Sequence, residues 1–305
     1  MFVLLEKSMR VKSLLVTATL LIAPVICWGA GPEANPPDSL PTFRVTAAEV
    51  HVDFTAVRDK NQVVNNLSAS DFQLLKDGRT VDQVSLEKYN DAPISALVLT
   101  DVSDSMAKAI PMERASADWL RSKTNPAKDR LAFIDFGEAL ASAEKPGYIR
   151  GHLTSVYDAL FETLMGFGSK SSTRREIVLL TDGIDNNSLH SLREVITLAQ
   201  RFDIAIYAIT AHPGKKQFYE PDVLRYLCEQ TGGKYYEARK LAAMLTATAA
   251  INDELRNGYA VVFRPDVASP GMHQVSLRPN QPGLRFYYRS AYFQPETPAE
   301  IASGE

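Results

Sequence analysis

The sequence predicts an α/β domain, a mainly parallel sheet with helices on both faces, inserted in a small all-β module formed by its N- and C-terminal flanks. Three observations predict it. Between residues 92 and 257, strands that are apolar throughout alternate with helical patterns, the mark of a sheet covered on both faces. Short strands with period-two alternation precede that stretch at 43–91 and return after it at 258–294. With 305 residues, 45% of them hydrophobic, the chain can fill one large or two moderate domains.

The first element is a segment expected to be removed. Lys7, Arg10 and Lys12 precede SLLVTATLLIAPVICWGAG, an apolar stretch closed by small residues, so residues 1–30 have the form of a secretion signal cut near Gly29 or Ala30. A retained signal anchor is the competing reading, but the stretch is short and Pro24 interrupts it. Loss of residues 1–29 removes three basic side chains and Glu6 and moves the formal charge from -3 to -5. The expected protein is therefore secreted or periplasmic, acidic, and without a membrane span in the mature chain. No long block of like charge suggests a nucleic-acid footprint. Cys228 is then the remaining cysteine, which excludes an internal disulfide. Its helical spacing with Val223, Leu224 and Leu227 makes it a packing thiol.

Residues 31–42, GPEANPPDSLPT, read as a polar, proline-rich linker. In 43–91, Val50, Val52, Phe54 and Ala56 alternate with polar residues, and Leu67 to Leu75 and Val81 to Tyr89 supply further strands around the Asp77-Gly78 hairpin signal. From residue 92 the order is strand 96–100, a helix with Pro111 near its first turn and Met112, Ala115 and Trp119 inward, and strand 131–136. Next come a helix after Thr154 with Val156, Ala159, Leu160 and Leu164 on one side, and the strand REIVLLTDG at 175–183. Ser191 and Glu194 have capping-box spacing before the next helix. Strand 204–210, helix 221–231 closed by Gly232-Gly233, strand 234–238 and helix 240–256 complete the insert. GYAVVFRP, HQVSLRP and LRFYYRSAYF return to the β pattern at 258–294, and 295–305 read as a frayed tail.

The strand ALVLT ends on Asp101, with Ser103 and Ser105 at every second position after it. A turn leaving a strand tip can aim these side chains at one point, and they offer only hard oxygens, which suit Mg²⁺, Mn²⁺ or Ca²⁺ better than zinc. Asp182 ends the strand IVLLTD and is expected on the same rim, where ligands bind in open parallel sheets; Thr154 stands in a loop able to add a hydroxyl. The competing reading makes Ser103 and Ser105 helix caps and Asp101 a turn former. Asp185 reads as a turn residue, and Asp158 as a loop brace or a solvent-facing group.

DVSDS, Thr154 in LTSVYDAL, and TDGID together resemble the metal-ion-dependent adhesion site of von Willebrand factor type A domains. The flanks FRV, NNLSASDFQLLKDG and ELRNGYAVVFRP are similar to the bacterial VWFA-related family often catalogued from Acidobacteria, so the resemblance spans nearly the whole mature chain. It implies a Rossmann-like fold, direct metal ligation by Asp101, Ser103 and Ser105, a distal hydroxyl from Thr154, and direct or water-mediated ligation by Asp182. Asp104 stands where members commonly carry glycine, and GHLTS replaces their usual paired glycines before the threonine.

Enzyme readings find no machinery. A phosphatase of the aspartyl type needs an acid two positions after Asp101, where Ser103 stands, and no G-x-S-x-G is present. The histidines show no triad or metal-ligand spacing, and GFGSKSS at 166–172 lacks the Walker spacing and reads as a helix-ending turn. The expectation is an exported, divalent-cation-dependent protein-binding module, with an Asp or Glu of the protein partner completing the coordination shell. The alternative is a structural or assembly module whose metal chiefly stabilises the fold.

Overall fold

A computed structural model describes residues 49–59, 62–140, 152–168, 174–212, 220–265 and 269–295. The readings of the signal, the linker and the tail beyond residue 295 lie outside the described residues. The N-terminal flank supplies β1 (Val50–Arg58), β2 (Gln62–Val63), β3 (Phe72–Lys76), β4 (Arg79–Thr80) and β5 (Val84–Tyr89). The insert runs β6 (Ser95–Asp101), α1 (Ile110–Lys123), β7 (Arg130–Phe136), α2 (Val156–Gly168), β8 (Arg175–Leu180), α3 (Leu192–Phe202), β9 (Ile204–Ala211), α4 (Pro221–Thr231), β10 (Tyr235–Ala238) and α5 (Leu241–Arg256). The C-terminal flank gives β11 (Gly258–Phe263), β12 (Gly271–Pro279), β13 (Arg285–Tyr288) and β14 (Ala291–Gln294).

The fold class is the expected one. The insert's strands form a parallel sheet in the order β10-β9-β8-β6-β7. Alternate residues of each strand point to opposite faces, and the two faces hold two separate cores. Leu99, Ile177, Leu179, Ile206 and Ala208 pack with α2, α3 and α4. Ala96, Val98, Val178, Leu180, Tyr207 and Ile209 pack with α1 and α5. Both faces are apolar because both are covered, which is why these strands lack a polar phase.

The flanks close on each other as two antiparallel sheets, β13-β1-β11-β5 with β2 beside β1, and β14-β12-β3-β4. Phe54, Phe72, Tyr259, Val261, Val275 and Leu277 fill the space between them. Tyr89 of β5 lies opposite Gly258 of β11, so the strand entering the insert pairs with the strand leaving it. The same junction is tied by Arg256 O accepting from Ala92 N at 2.9 Å.

Several elements differ from the sequence reading. Residues 67–71 are not strand: Ser68 and Asp71 form a reciprocal capping box around the short turn Ala69–Asp71, and the strand starts at Phe72. The Asp77-Gly78 hairpin is present, with φ of 48° and 78°, but it joins β3 to the two-residue β4. The chain then crosses, and β5 pairs with β11 in the other sheet. In α1 the buried stripe runs through Glu113, Ser116, Ala117 and Leu120, with Met112, Ala115 and Trp119 only half buried beside it. Ser116 Oγ reaches Thr248 Oγ1 of α5 at 2.6 Å, so a polar contact, invisible to an apolar count, sets the rotation of the helix.

The lower end of the insert is pinned by Asp129. Its carboxylate accepts from Ile94 N at 3.0 Å, Asn125 N at 2.6 Å and Arg256 Nη2 at 2.9 Å. Burial works to raise its pKa, but Arg256 and the two N–H groups outweigh that and hold it at about 2. A depressed carboxylate pKa contributes stability that is present above the unfolded value near 3.8 and is lost as pH falls through about 2. Asp129→Asn should therefore lose about 2 kcal/mol at pH 7 in urea titrations, and the gap to the parent should narrow as pH falls from about 4 toward 2.

Candidate metal centre

The chain leaves β6 for β7 on one side and then reaches β8 on the other, so β6 and β8 are neighbours across the point where the strand order reverses. The crevice outside the carboxyl ends of such strands is where open α/β sheets hold ligands. Asp101 is the last residue of β6, and Thr181 and Asp182 follow the last residue of β8. The topology alone brings the two aspartates to one crevice.

Local hydrogen bonds shape the β6 loop. Asp101 Oδ1 accepts from Ser103 N at 2.9 Å, which turns the backbone off the strand. Met106 N then donates to Ser103 O at 3.0 Å, and the buried Met106 anchors the turn Asp104–Met106. The result places Ser103 Oγ 3.1 Å from Ser105 Oγ. Ser103 stands at the N-cap of the turn Asp104–Met106 but makes no side-chain cap bond to it, and α1 starts after Ala109, so neither hydroxyl caps a helix. The hydroxyls are therefore not spent on cap bonds, while Asp101 does form the turn that the competing reading gave it.

Across the crevice, Thr181 Oγ1 donates to Asp101 Oδ2 at 2.6 Å while accepting from Gly183 N at 3.1 Å. Gly183 holds a φ of 85°, a left-handed conformation that glycine adopts without strain. Asp182 Oδ1 accepts from Ile184 N at 3.1 Å, and its carboxylate is also hydrogen-bonded by the Ser105 side chain. Asp101, Ser103, Ser105 and Asp182 are thus drawn together by direct contacts. Asp101 and Ser103 are almost fully buried, Asp182 is buried, and Ser105 opens to solvent at the rim.

Burial pushes the Asp101 carboxyl up to about 6; hydrogen bonds from Thr181 and Ser103 oppose the rise, and the nearby Asp182 charge adds to it. Burial raises Asp182 as well, against the bonds from Ser105 and Ile184. Among the described residues, no lysine or arginine pairs with either carboxylate. The donor set fits a hard divalent cation. It is all oxygen, it carries two like charges without a counter-ion, and the Asp101 carboxylate keeps acceptor capacity beyond the bonds from Thr181 and Ser103. Among the described residues no three His, Cys, Asp or Glu side chains converge at ligating distance, so the set is two acids plus hydroxyls.

No family model matches the chain. No curated protein matches its sequence either. Solved structures similar to it include the mussel byssus protein PTMP1, at 14% identity and TM-score 0.45, covering 66% of this chain and 50% of that one. A von Willebrand factor type A protein from Catenulispora acidiphila is similar at 12% identity and TM-score 0.43, covering 79% of this chain and 78% of the other. Manganese-loaded TRAP from Plasmodium vivax is similar at 17% identity and TM-score 0.40, covering 71% of this chain and 99% of that one. The chain spans half the length of the mussel protein. With TM-scores below 0.5, these likenesses carry no weight for function, which rests on the geometry of the crevice.

Thr154 lies beside the crevice, but its ties to the rim run through its backbone. Thr154 N donates to Asn186 Oδ1 at 2.8 Å, and Asn186 N returns a bond to Thr154 O at 3.1 Å. Among the described residues no contact joins the Thr154 hydroxyl to the other four candidates. Asp104 turns its carboxylate toward the His152 ring, 3.0 Å away, and so links the β6 loop to the loop carrying Thr154. Asp185 is a loop former, accepting from Tyr157 N and Ser188 N, and Asp158 braces the same loop through Leu189 N and His190 N. Cys228 is fully buried, and burial pushes its thiol pKa far up, as befits packing rather than reactivity.

Three residues of the crevice carry no readable role in the sequence. Thr181 positions Asp101, and Asn186 clamps Thr154; the TDG and DNN runs that contain them are plain in the sequence, but nothing local gives either residue its task. Glu113 of α1 is fully buried, and burial followed by the charge of Asp101 drives its carboxyl well above the ordinary range. Its signal is masked because an acid on a helix reads as a solvent-facing residue.

Proposed function

We propose that the chain is an extracytoplasmic protein-binding module of the von Willebrand factor type A kind, akin to the VWFA-related bacterial proteins, whose contact with its partner depends on a divalent cation. Asp101, Ser103, Ser105 and Asp182 would hold the cation, Mg²⁺ or else Mn²⁺ or Ca²⁺, with Thr154 as the distal hydroxyl. The observation that carries the reading is the meeting of Asp101, Ser103, Ser105 and Asp182 at the switch point, where the Ser105 side faces solvent. When bound, the cation supplies an electrophilic centre for an Asp or Glu of the partner.

The chain's own residues set the terms of that contact. Thr181 and the Ser103 N–H fix the Asp101 carboxylate in place, so no reorganisation is needed when a charge arrives. Two neutral hydroxyls in place of further acids leave positive charge uncompensated at the rim, and Coulomb attraction there is stronger than in bulk water. The loop bearing Asn186 and Ser188 is stapled to the Thr154 loop, giving a fixed rim around the opening. Among the described residues of the crevice we assign no base or nucleophile, and we read it as a binding site. Among the described residues no helix is long and apolar enough to cross a membrane.

The test is capture of exported proteins on the immobilised chain. Chelator and Asp101→Ala should each release the same partner, and an acidic peptide should compete for it. Retention insensitive to all three would overturn the reading. The structural alternative is separated by the same Asp101→Ala variant measured in Mg²⁺: it requires the variant to lose the fold there, whereas the binding reading requires lost capture by a chain that stays folded.

A further inference from the structure

The large apolar side chains left exposed among the described residues are unevenly placed. Three of them are leucines, Leu153, Leu189 and Leu241, and each stands where the chain passes from the carboxyl end of a parallel strand into the next helix. That is the rim of the cation crevice. Leu153 directly precedes Thr154 and is 38% exposed. Leu189, on the loop that leaves Asp182, is 93% exposed. Met165, by contrast, lies in the last turn of α2, more than 10 Å along the helix from the rim by the rise of about 1.5 Å per residue.

Leu189 is held in place by its backbone. Its N–H donates to the two oxygens of the Asp158 carboxylate at 3.1 and 3.0 Å, and His190 N donates to the same carboxylate at 2.9 Å. Ser188 Oγ accepts from Tyr157 N and Asp158 N, both at 3.1 Å, and the His190 ring stacks on Phe161 with centroids 3.7 Å apart. These bonds fix both neighbours of Leu189 to the first turns of α2, while Asn186 ties the same loop to the Thr154 backbone at 2.8 and 3.1 Å. The leucine is therefore displayed by a rigid frame that also borders the crevice. A side chain on a fixed backbone loses little freedom on contact, and an exposed leucine recovers transfer free energy when it is covered. Asp104, Asp158 and Asp185 stand on the loops around the crevice, and that acidic fringe opposes an anionic lipid surface as the cover.

We propose that Leu153 and Leu189 form an apolar contact beside the cation crevice, and that the partner is a protein segment whose Asp or Glu is flanked by large apolar side chains. The inference rests on the reading of the crevice as a cation-dependent binding site and names the kind of segment it takes. The cation captures the acid, and the leucines select among acids by what stands next to them. An acid flanked by glycine makes only the first of these contacts.

The test is fluorescence anisotropy of the full chain in Mg²⁺ with two labelled peptides, Gly-Gly-Asp-Gly-Gly and Gly-Leu-Asp-Leu-Gly. The leucine peptide should bind at least about tenfold more tightly, the scale of covering one leucine, and chelator should release both peptides. Leu189→Ser and Leu153→Ser should each reduce that preference and the double variant should remove it. Their melting temperatures and affinity for Mn²⁺ should match the parent's, and Met165→Ser should keep the preference. Equal binding of the two peptides, or a preference that survives in the double variant, overturns the inference and leaves the cation reading standing as long as chelator still releases them. A preference that persists in chelator overturns it as well, because the leucines would then act apart from the crevice. Dimers in sedimentation, or binding to phosphatidylglycerol vesicles, that vanish in Leu189→Ser would assign the leucine to a second copy or to lipid and also overturn it. Failure of the parent to bind either peptide in Mg²⁺ overturns both readings together.

Discussion

Asp101→Ala is expected to abolish the rise in melting temperature that Mg²⁺ or Mn²⁺ gives over EDTA, while moving the EDTA melt itself only slightly. A cation at one hundred times its dissociation constant stabilises the folded chain by about 2.7 kcal/mol if it does not bind the unfolded one. For a unit of this size, each kcal/mol shifts the melting temperature by about 2–4 °C, so the parent should gain roughly 5–10 °C. The variant should gain nothing. Its metal-free stability should change little, because two effects oppose: Thr181 and the Ser103 N–H lose their acceptor, but a carboxyl disfavoured by burial is removed as well. A parent melt indifferent to cations would refute the centre. A parent chain that unfolds in EDTA would instead favour the structural role.

The largest loss of stability is expected from Arg174→Met. Arg174 is mostly buried, with Nε 3.0 Å from Glu176 Oε1 of β8, close enough for an ion pair though off the angle of a hydrogen bond, and 3.6 Å from Asp53 of β1. It also donates to Leu255 O and Glu254 O at the end of α5, both at 3.2 Å, and lies over the Tyr89 ring of β5. One guanidinium thus joins the β-module to the insert. Burial already pushes Glu176 up to about 7 and raises Asp53, even with Arg174 present. Removing the cation strands both acids, at a cost of about 3–5 kcal/mol. A carboxyl whose folded pKa is raised contributes stability below its unfolded value and loses it as pH rises through the folded one. The deficit should therefore be smaller at pH 5 than at pH 8, and adding Glu176→Gln should recover part of it. Urea titrations at the two pH values check this, and a deficit independent of pH would assign the loss to packing alone.

What could be read from the sequence depends on which forces are local. The parallel sheet was legible because strands covered on both faces are apolar at every position, and Val178 and Leu179 point opposite ways into equal cores. The capping box at Ser191 and Glu194 and the left-handed Gly232 were legible for the same reason, being set by neighbours in the chain. Asp101, Ser103, Ser105 and Asp182 could be placed on one rim because strand ends and strand order decide where they go. What escaped depends on contacts distant in sequence. Leu67 looks like strand, but Ser68 and Asp71 satisfy each other first. Met112 and Trp119 look like the inner face of α1, but the bond from Ser116 to Thr248 turns Glu113 inward. Thr181 carries no periodic signal, because its role exists only once β6 and β8 are side by side.

Crystals of the full chain soaked in Mn²⁺ and measured for anomalous scattering give the most direct check. The expected result is one strong peak within bonding reach of Asp101, Ser103 and Ser105 oxygens, on the side where Asp182 closes the crevice. Ordered density for those side chains at saturating Mn²⁺, with no peak among them, would contradict the account.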